Sequence, residues 1–377
     1  MTKFTLIIVL LTALSCSRDN AATPKISIFE PIYINGIQQW VLIRGNDDSK
    51  PVLLYLHGGP GSSLVPFAYK ATDKLVDHCI VVYWDQRGAG LSYNEKIPQS
   101  TMNINQFIKD TKMMVDYLKQ RFKKEKIFLL GHSWGSTLGT LVFQKYPDDY
   151  YAYIGVGQVV NPKEQERLGV QWLKNELIRN GTDDERQKIE IMERENWTDR
   201  KLLKKYRGIV HNIPLDSLPV IMYNSPYLPE KYTSDLYSKG LKFATPIHLE
   251  VKKIDFFKTA PELKVPVYFF LGQYDYVTPT KTVVKYFEIL KAPYKKIIWF
   301  NNSAHRMDIE EPIKFQNEVL KVLKSNHITS HNKVYALRSG YLAWAWPNRG
   351  GKAAATLHKI NGVGLFVATR RKTPKLF

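Results

Sequence analysis

The sequence predicts an α/β domain with a mostly parallel central sheet, helices on both faces of that sheet, and an inserted cap that is mainly helical. Three observations lead to this prediction. Short apolar runs alternate with amphipathic stretches of helical period, a hairpin pattern precedes them, and the apolar runs stop over one long internal segment. Continuous runs of large apolar residues are typical of parallel strands that are buried on both faces.

The predicted strands and helices follow one another along the chain. Residues 26–35 and 37–44 alternate between apolar and polar around Asn35-Gly36, which indicates an antiparallel hairpin. Buried strands are predicted at residues 52–56, 80–84, 127–130, 153–156, 265–271 and 296–300. Helical periodicity predicts core helices at residues 104–122, 136–146 and about 311–324.

Two segments lie outside this core pattern. Residues 160–258 have no strand signal, and their charged amphipathic stretches predict a helical cap inserted into a core of residues 26–159 and 259–325. Residues 326–377 hold nine Lys and Arg but no Asp or Glu, and they match neither a core strand nor a core helix. We predict a basic C-terminal tail of low order there.

The N-terminal residues predict export. Lys3 precedes an apolar run of eleven residues, which is too short to cross a bilayer but suits a secretory signal. We predict a signal peptide at residues 1–15. Cys16 then resembles the acylated cysteine of bacterial lipoproteins, although Ala13 stands where that pattern prefers Leu. We therefore expect a periplasmic or membrane-anchored protein. The second cysteine, Cys79, lies in an apolar run and is predicted to be a core residue without a disulfide partner.

The formal net charge of +19 raises the question of an anionic partner. The tail alone supplies nine of these charges, and the remainder is spread along the chain without a long Lys or Arg block. No nucleic-acid-binding motif accompanies the charge. The sequence therefore argues against nucleic acid as a partner and leaves a lipid on Cys16 as the predicted membrane contact.

The strongest chemical signal is Gly131-His132-Ser133-Trp134-Gly135, which lies between a predicted strand and a predicted helix. This G-x-S-x-G pattern produces a sharp turn that presents the serine hydroxyl at the carboxyl end of the strand. A helix N-terminus also favours the negative charge that develops there during nucleophilic attack. We predict that Ser133 is a nucleophile.

A second glycine-rich loop, His57-Gly58-Gly59-Pro60-Gly61, follows the strand at residues 52–56. Its small residues let the backbone approach a ligand closely, as an oxyanion hole requires. We predict that the backbone N–H groups of Gly59 and Trp134 are the oxyanion donors, with Gly58 as the substitute. His57 is predicted to be structural and bonded within the loop.

A serine hydroxyl needs a general base, and that base needs an acid that fixes its tautomer. Asp275 follows the strand at residues 265–271, and His305 follows the strand at residues 296–300. Both therefore belong to loops at strand ends, in the order serine, acid, histidine that this kind of site requires. Three rivals, Asp308 in the loop and His211 and His248 in the cap, fit this order less well.

The motif Asp85-Gln86-Arg87-Gly88 lies at the end of another predicted strand. The side chains of Asp85 and Arg87 could be mistaken for catalytic groups. We predict a structural turn instead, in which Asp85 and Arg87 are held by local ion-pair and backbone hydrogen bonds.

The stretches HGGPG, DQRGAGLS, GHSWGSTLG, GQYDYVTP and SAHRMDIEEP resemble, in order and spacing, the prolyl aminopeptidase (proline iminopeptidase) group of α/β-hydrolases. The resemblance covers residues 26–324. It implies the α/β-hydrolase fold, a triad of Ser133, Asp275 and His305, oxyanion donors at Gly59 and Trp134, and no metal or organic cofactor.

The same resemblance implies that carboxylates near the triad acid and in the cap meet the free amine of the substrate. Tyr276 stands in place of the first of these acids, and Tyr227 follows the Asn224-Ser225-Pro226 turn in place of the second. Candidate substrate contacts are therefore Gly58, Tyr227, Tyr276 and a substitute acid, Glu164, with Glu166 and Glu176 as further options. A buried ammonium without a counter-charge is costly, so these departures bear on specificity.

We expect an exported serine hydrolase that works through an acyl-enzyme. Release of N-terminal residues from short peptides, with proline favoured, is the first interpretation. A carboxylesterase that acts on small apolar acyl esters is the alternative. A non-catalytic binding lipoprotein on a hydrolase scaffold is the third, because a fold does not determine a function.

Overall fold

The computed structural model describes residues 25–194, 205, 206, 208, 210–230 and 232–338, together with the tail segments 341–342, 355–360 and 363–368. The predicted signal peptide and Cys16 lie outside the described residues, as do residues 195–204 of the cap. Among the described helices, none is both long enough and apolar enough to cross a bilayer.

The core is an eight-stranded sheet. Its strands are β1 (Ile26–Ile34), β2 (Ile37–Gly45), β3 (Val52–Leu56), β4 (Ile80–Trp84), β5 (Ile127–His132), β6 (Tyr150–Val156), β7 (Val267–Gly272) and β8 (Lys295–Phe300). Their spatial order is β1-β2-β4-β3-β5-β6-β7-β8. The first hairpin pairs antiparallel, and all strands from β4 to β8 in this order run parallel. The predicted fold class is confirmed. Strand β7 begins two residues later than predicted, directly after Pro266, which has no N–H to donate to a neighbouring strand.

The parallel strands are buried on both faces, as their uninterrupted apolar sequences predict. In β3, Val52, Leu54 and Leu56 point into one hydrophobic cluster, while Leu53 and Tyr55 point into another. This alternation follows from the two-residue period of a strand. The two clusters are therefore the two faces of one sheet.

Helices cover each of these clusters. Helices α1 (Ala68–Thr72), α2 (Ile104–Arg121) and α3 (Trp134–Lys145) lie between the first six strands, and α10 (Thr280–Ile289), α11 (Met307–Glu310) and α12 (Pro312–Arg338) lie after β7. Helices α2, α3 and α10 contribute to the cluster that contains Val52. Helices α1 and α12 contribute to the opposite cluster. The sheet is thus the middle of three layers.

Among the described residues between β6 and β7, the secondary-structure elements are helices joined by turns and loops. These helices are α4 (Pro162–Asn180), α5 (Asp183–Arg194), α6 (Ser217–Tyr223), α7 (Ser234–Phe243), α8 (Thr245–Val251) and α9 (Phe256–Thr259). Helix α4 begins where Asn161 caps it by accepting the Glu164 N–H at 3.0 Å, with Pro162 in the first turn. The Ser62 hydroxyl bonds to the Tyr237 hydroxyl on α7, which joins this segment to the glycine-rich loop.

The last helix is longer than predicted, because it continues to Arg338. No Gly or Pro interrupts the chain between Pro312 and Gly340, so no residue ends the helix earlier. Strands β9 (Tyr341–Leu342), β10 (Ala355–Ile360) and β11 (Val363–Ala368) form a second, separate sheet in the tail. Asn361-Gly362, a dipeptide typical of tight hairpins, separates β10 from β11 and is a signal that our sequence analysis did not use. The low order of the tail stays a prediction.

Arg87 does not pair within its own turn. Its guanidinium binds Asp110 on α2 through two nitrogens, at 2.7 and 3.1 Å, and both side chains are buried. The expectation of a local ion pair with Asp85 is therefore wrong for Arg87, because the turn directs its side chain toward α2. Asp85 itself is held locally: its carboxylate accepts the Leu91 N–H at 2.9 Å, and its carbonyl accepts the Ser92 hydroxyl.

We expect the Arg87→Met variant to lose about 3–5 kcal/mol of unfolding free energy, because it leaves the Asp110 carboxylate buried without its counter-charge. Urea unfolding measures this loss. Adding Asp110→Asn removes the uncompensated charge and should recover part of the stability. The folded fraction of Arg87→Met should keep its specific activity; a large loss there would mean that Arg87 serves catalysis rather than folding.

Candidate active site

Ser133 lies at the sharp turn between β5 and α3. Its backbone has φ 54° and ψ −117°, a region that residues with a side chain rarely adopt. A Cβ atom on Gly135 would lie 2.2 Å from the Leu56 carbonyl oxygen, so α3 packs against β3 only because that residue is glycine. The turn places the Ser133 hydroxyl at the N-terminus of α3, beyond the carboxyl ends of the strands.

Asp275 and His305 meet at the same end of the sheet. The imidazole Nδ1 lies 2.8 Å from the Asp275 Oδ2, and both side chains are almost fully buried. The other carboxylate oxygen of Asp275 accepts the backbone N–H groups of Val277 at 2.9 Å and Thr278 at 2.8 Å. Burial by itself raises the pKa of Asp275, but the adjacent His305 and the Thr278 hydrogen bonds outweigh it, so this pKa lies below its usual value. An ionised Asp275 fixes the Nδ1–H tautomer and leaves Nε2 as the proton acceptor.

The end of β6 brings the serine and the histidine together. The Ser133 N–H donates to the Val156 carbonyl at 2.9 Å. The next residue, Gly157, has φ +54°, and a Cβ atom there would lie 2.7 Å from His305 Cε1 and 2.8 Å from His305 Nδ1. One short backbone segment therefore contacts both the nucleophile turn and the imidazole.

His132, the residue before the serine, also supports His305. Its Nε2 lies 2.9 Å from the His305 carbonyl oxygen, and the two ring centroids are 4.7 Å apart. Burial, with the neighbouring His305, lowers the pKa of His132 to about 3, so the ring is neutral and donates through Nε2–H. The sequence predicts no role for His132, because the two variable positions of the G-x-S-x-G pattern carry no signal of their own.

The glycine-rich loop lies directly beside the nucleophile. A Cβ atom on Gly58 would lie 3.1 Å from Ser133 Cβ and 3.0 Å from His132 Nδ1, so the bare backbone of the loop packs on the serine. Gly59 follows at once, and Trp134 is the first residue of α3, whose N–H has no acceptor within the helix. The backbone N–H groups of both residues thus belong to segments that flank the Ser133 hydroxyl.

His57 stabilises this loop through hydrogen bonds and forms none with the residues of the predicted triad. Its Nδ1 lies 2.8 Å from the Gly58 carbonyl oxygen, and its Nε2 accepts the Gln86 N–H at 3.1 Å. Burial lowers the pKa of His57 from 6.5 to about 4, so its ring is neutral at pH 7. Both ring nitrogens are engaged in backbone contacts, as a structural histidine requires.

The buried neutral state of His57 predicts a pH dependence of stability. The unfolded chain binds a proton on His57 near pH 6.5, whereas the folded chain binds it only near pH 4. The free energy of unfolding therefore falls as the pH drops through this window. Between pH 7 and pH 5 we expect wild type to lose about 2 kcal/mol more than the His57→Gln variant. Urea unfolding at several pH values measures this difference, and equal losses would contradict it.

Aromatic residues of the cap segment stack on both neighbours of Asp275. The His211 ring lies 3.6 Å from the Tyr274 ring, and the Trp172 ring lies 4.1 Å from the Tyr276 ring, each pair nearly parallel. The loop of Asp275 is thus packed against the cap segment on both sides of that residue. Tyr276, a predicted substrate contact, therefore lies next to Asp275 in the chain with one ring face covered by Trp172.

Two other predicted substrate contacts, Glu164 and Tyr227, are already engaged by neighbouring side chains. Both carboxylate oxygens of Glu164 bind Arg167, at 2.7 and 2.8 Å, on the exposed side of α4. A substrate amine would have to displace that guanidinium. The ring of Tyr227 lies 4.1 Å from the Arg44 guanidinium, which itself pairs with Asp73. These contacts tie Tyr227 to the side of the core rather than to the triad.

The remaining acids near His305 have structural contacts. Asp308 binds Arg306 through both oxygens, at 2.8 and 2.9 Å, and this pair is buried. Glu310 accepts the Ala304 N–H at 2.9 Å and the Asn212 N–H at 3.2 Å, so it joins the His305 loop to the cap segment. Within the described part of the chain, no group of His, Cys, Asp and Glu side chains is arranged to hold a metal ion.

Comparison with known proteins identifies the family. The family model described as serine aminopeptidase, S33, matches residues 47–312. The chain belongs to this family. This serine aminopeptidase family member is 34% identical over 326 residues to the probable aminopeptidase YbaC of Bacillus subtilis (strain 168), across 81% of this chain and 98% of that protein. The predicted resemblance to the proline iminopeptidase group is confirmed, and the chain is a serine hydrolase.

Two further matches are a more distant curated relative and a solved structure. A proline iminopeptidase of Heyndrickxia coagulans is 25% identical over 283 residues, across 72% of this chain and 89% of that protein. The crystal structure of proline iminopeptidase from Mycobacterium smegmatis has a TM-score of 0.60 at 15% identity, and covers 80% of this chain and 100% of that chain. At such low identity, this structural likeness concerns the fold alone.

Proposed function

We propose that this hydrolase uses Ser133, His305 and Asp275 as its catalytic triad and releases N-terminal residues from short peptides through an acyl-enzyme. The observation that carries the proposal is the 2.8 Å contact between His305 Nδ1 and Asp275 Oδ2, beside a nucleophile turn that holds Ser133 at φ 54°. This arrangement provides a base of defined tautomer next to a serine at a helix N-terminus.

The chemistry follows from that geometry. His305 Nε2 takes the proton of the Ser133 hydroxyl as the oxygen attacks the substrate carbonyl. The oxyanion that forms accepts hydrogen bonds from the backbone N–H groups of Gly59 and Trp134. The imidazolium then gives its proton to the leaving amine, and water releases the acyl group by the same steps. Asp275 stabilises the imidazolium in both halves of the reaction.

The peptide class of substrate is supported by the relatives. The Bacillus subtilis relative, which aligns with this chain over 98% of its length, is named a probable aminopeptidase. The Heyndrickxia coagulans relative is named a proline iminopeptidase. We extend their substrate class to this chain, with proline as the favoured N-terminal residue.

Three model substrates test this proposal. Pro-2-naphthylamide should be cleaved, and its N-acetylated form should be cleaved far more slowly, because acetylation removes the free amine. A p-nitrophenyl ester provides the comparison for an ester substrate. Equal turnover of the free and acetylated amides would overturn the aminopeptidase proposal while leaving the hydrolase chemistry intact.

A carboxylesterase is the second candidate, and one observation favours it. The two positions at which the family resemblance requires an acid hold Tyr276 and Tyr227, and the substitute Glu164 is paired with Arg167. A site in which these three positions offer no free carboxylate suits an uncharged acyl group better than an ammonium. A marked preference for the p-nitrophenyl ester over Pro-2-naphthylamide would select this alternative.

We also propose that the chain is exported and anchored by a lipid on Cys16. The support is the sequence pattern of residues 1–16 alone: a basic start, a short apolar run and a cysteine directly behind it. Metabolic labelling with a palmitate analogue in a bacterial host tests the proposal. Wild type should be labelled and Cys16→Ala should not; a protein that stays unlabelled, or remains in the cytoplasm, would contradict it.

A further inference from the structure

We propose that Gln86 is a positioning residue that sets the two oxyanion donors relative to each other. This inference rests on the proposed oxyanion role of Gly59 and Trp134. It concerns a residue of the turn that our sequence analysis treated as purely structural. Gln86 is fully buried, so it acts through its neighbours rather than by touching substrate.

One residue makes three contacts that reach two different loops. The Gln86 side-chain amide donates through Nε2 to the His57 carbonyl at 3.3 Å, and its Oε1 accepts the Trp134 indole N–H at 2.9 Å. Its backbone N–H donates to His57 Nε2 at 3.1 Å. Both ends of one amide are therefore used, one by His57 of the glycine-rich loop and the other by Trp134, itself a proposed oxyanion donor.

The topology explains why a residue in this place is needed. Gln86 follows β4, His57 follows β3 and Trp134 follows β5, and the sheet order places β3 between β4 and β5. The Gln86 side chain thus spans the carboxyl ends of three adjacent strands. It links the glycine-rich loop to the first residue of α3.

The chemistry of the two contacts requires an amide. The indole N–H of Trp134 needs an acceptor, and the His57 carbonyl needs a donor. Methionine has a similar length but provides neither group, so it leaves both partners buried and unsatisfied. Glutamate keeps an acceptor for the indole N–H, but its second oxygen then faces the His57 carbonyl oxygen, which is repulsive. It also adds a negative charge near the proposed oxyanion site.

The consequence for catalysis is specific to the transition state. Oxyanion donors act only if they lie about 2.7–3.1 Å from the developing charge, and small displacements of such groups are costly. A shift of one loop relative to the other weakens this contact and leaves ground-state binding unchanged. We therefore expect Gln86→Met to lower kcat about 10- to 100-fold, with KM changed by less than about threefold. Gln86→Glu should be at least as impaired.

The chain offers a matched control. Gln39 is also fully buried, accepts the Trp84 indole N–H at 2.9 Å and donates to Asp110 at 3.1 Å, and neither partner belongs to the glycine-rich loop or to the turn of Ser133. Gln39→Met therefore removes the same kind of bridge and should cost stability without lowering kcat. Thermal unfolding of both variants shows that the compared proteins are folded.

The experiment measures kcat and KM on p-nitrophenyl acetate, the rate of labelling by a fluorophosphonate, and the affinity for a trifluoromethyl ketone. The last two reagents place an oxygen in the oxyanion site whatever the natural substrate is. Their labelling rate and affinity should fall in Gln86→Met by about the same factor as kcat. Wild-type values in folded Gln86→Met, or equal losses in Gln39→Met, would overturn the inference. Absence of labelling at Ser133 in wild type would instead overturn the proposed function.

Discussion

Ser133→Ala is expected to lower turnover by about 10⁴-fold or more, because the acyl-enzyme route then has no nucleophile. His305→Ala should cost about as much, since an unactivated hydroxyl attacks a carbonyl poorly. The two residues act as one unit, so the double variant should be little worse than either single variant. Steady-state kinetics on the preferred model substrate, with a sensitive discontinuous assay for the variants, measures these losses.

A nearby serine provides the control for this result. The Ser303 hydroxyl donates to Glu311 at 2.6 Å in the loop that carries His305, so Ser303→Ala changes a buried contact without removing the nucleophile. Fluorophosphonate labelling should persist in Ser303→Ala and disappear in Ser133→Ala. Labelling that survives in Ser133→Ala, or losses in the double variant that equal the product of the single losses, would refute the assignment of the triad.

Gly157→Ala is expected to lower kcat/KM by about 10²-fold or more. The added methyl group would lie 2.7 Å from His305 Cε1, closer than carbon atoms pack, so the imidazole or the β6 turn has to move. A displacement of about 1 Å of a catalytic group is enough for a loss of this size. The expected defect is therefore in the position of the base rather than in its chemistry.

The backbone strain of this substitution needs a control of its own. Gly157 and Gly36 both have positive φ angles, +54° and +82°, but a Cβ atom on Gly36 meets nothing within 4 Å. Gly36→Ala thus introduces strain of about 1–3 kcal/mol without touching the site. Unfolding experiments should show destabilisation in both variants, whereas only Gly157→Ala should lose activity. Full activity in folded Gly157→Ala would mean that the site adapts around the imidazole.

Much of the architecture could be predicted from local pattern. The apolar runs at residues 52–56 and 80–84 coincide with β3 and β4, because a strand buried on both faces leaves an uninterrupted apolar sequence. The last helix extends 14 residues beyond the predicted end at residue 324, and no Gly or Pro occurs between Pro312 and Gly340 to end it earlier. Propensity, which acts over a few residues, was the better guide there.

The residues proposed for catalysis could also be found from the sequence, whereas their supports could not. Ser133, Asp275 and His305 each follow a predicted strand, and parallel strands bring their carboxyl ends to one edge whatever their spacing in the chain. Which side chains then contact one another depends on strand order and on rotamers. Gln86 can reach Trp134 because a single strand, β3, lies between β4 and β5 in the sheet.

Periodicity and short motifs next to strands are enough to predict the fold class, the candidate nucleophile and the order of the candidate triad. The pairing of Arg87 with Asp110, the pairing of Glu164 with Arg167 and the packing of Gly157 on His305 become visible only in the folded chain. The sequence contains many chemically equivalent partners for each of these residues. Which partner is used depends on the fold, because folding brings only a few of them within contact distance and excludes water from them.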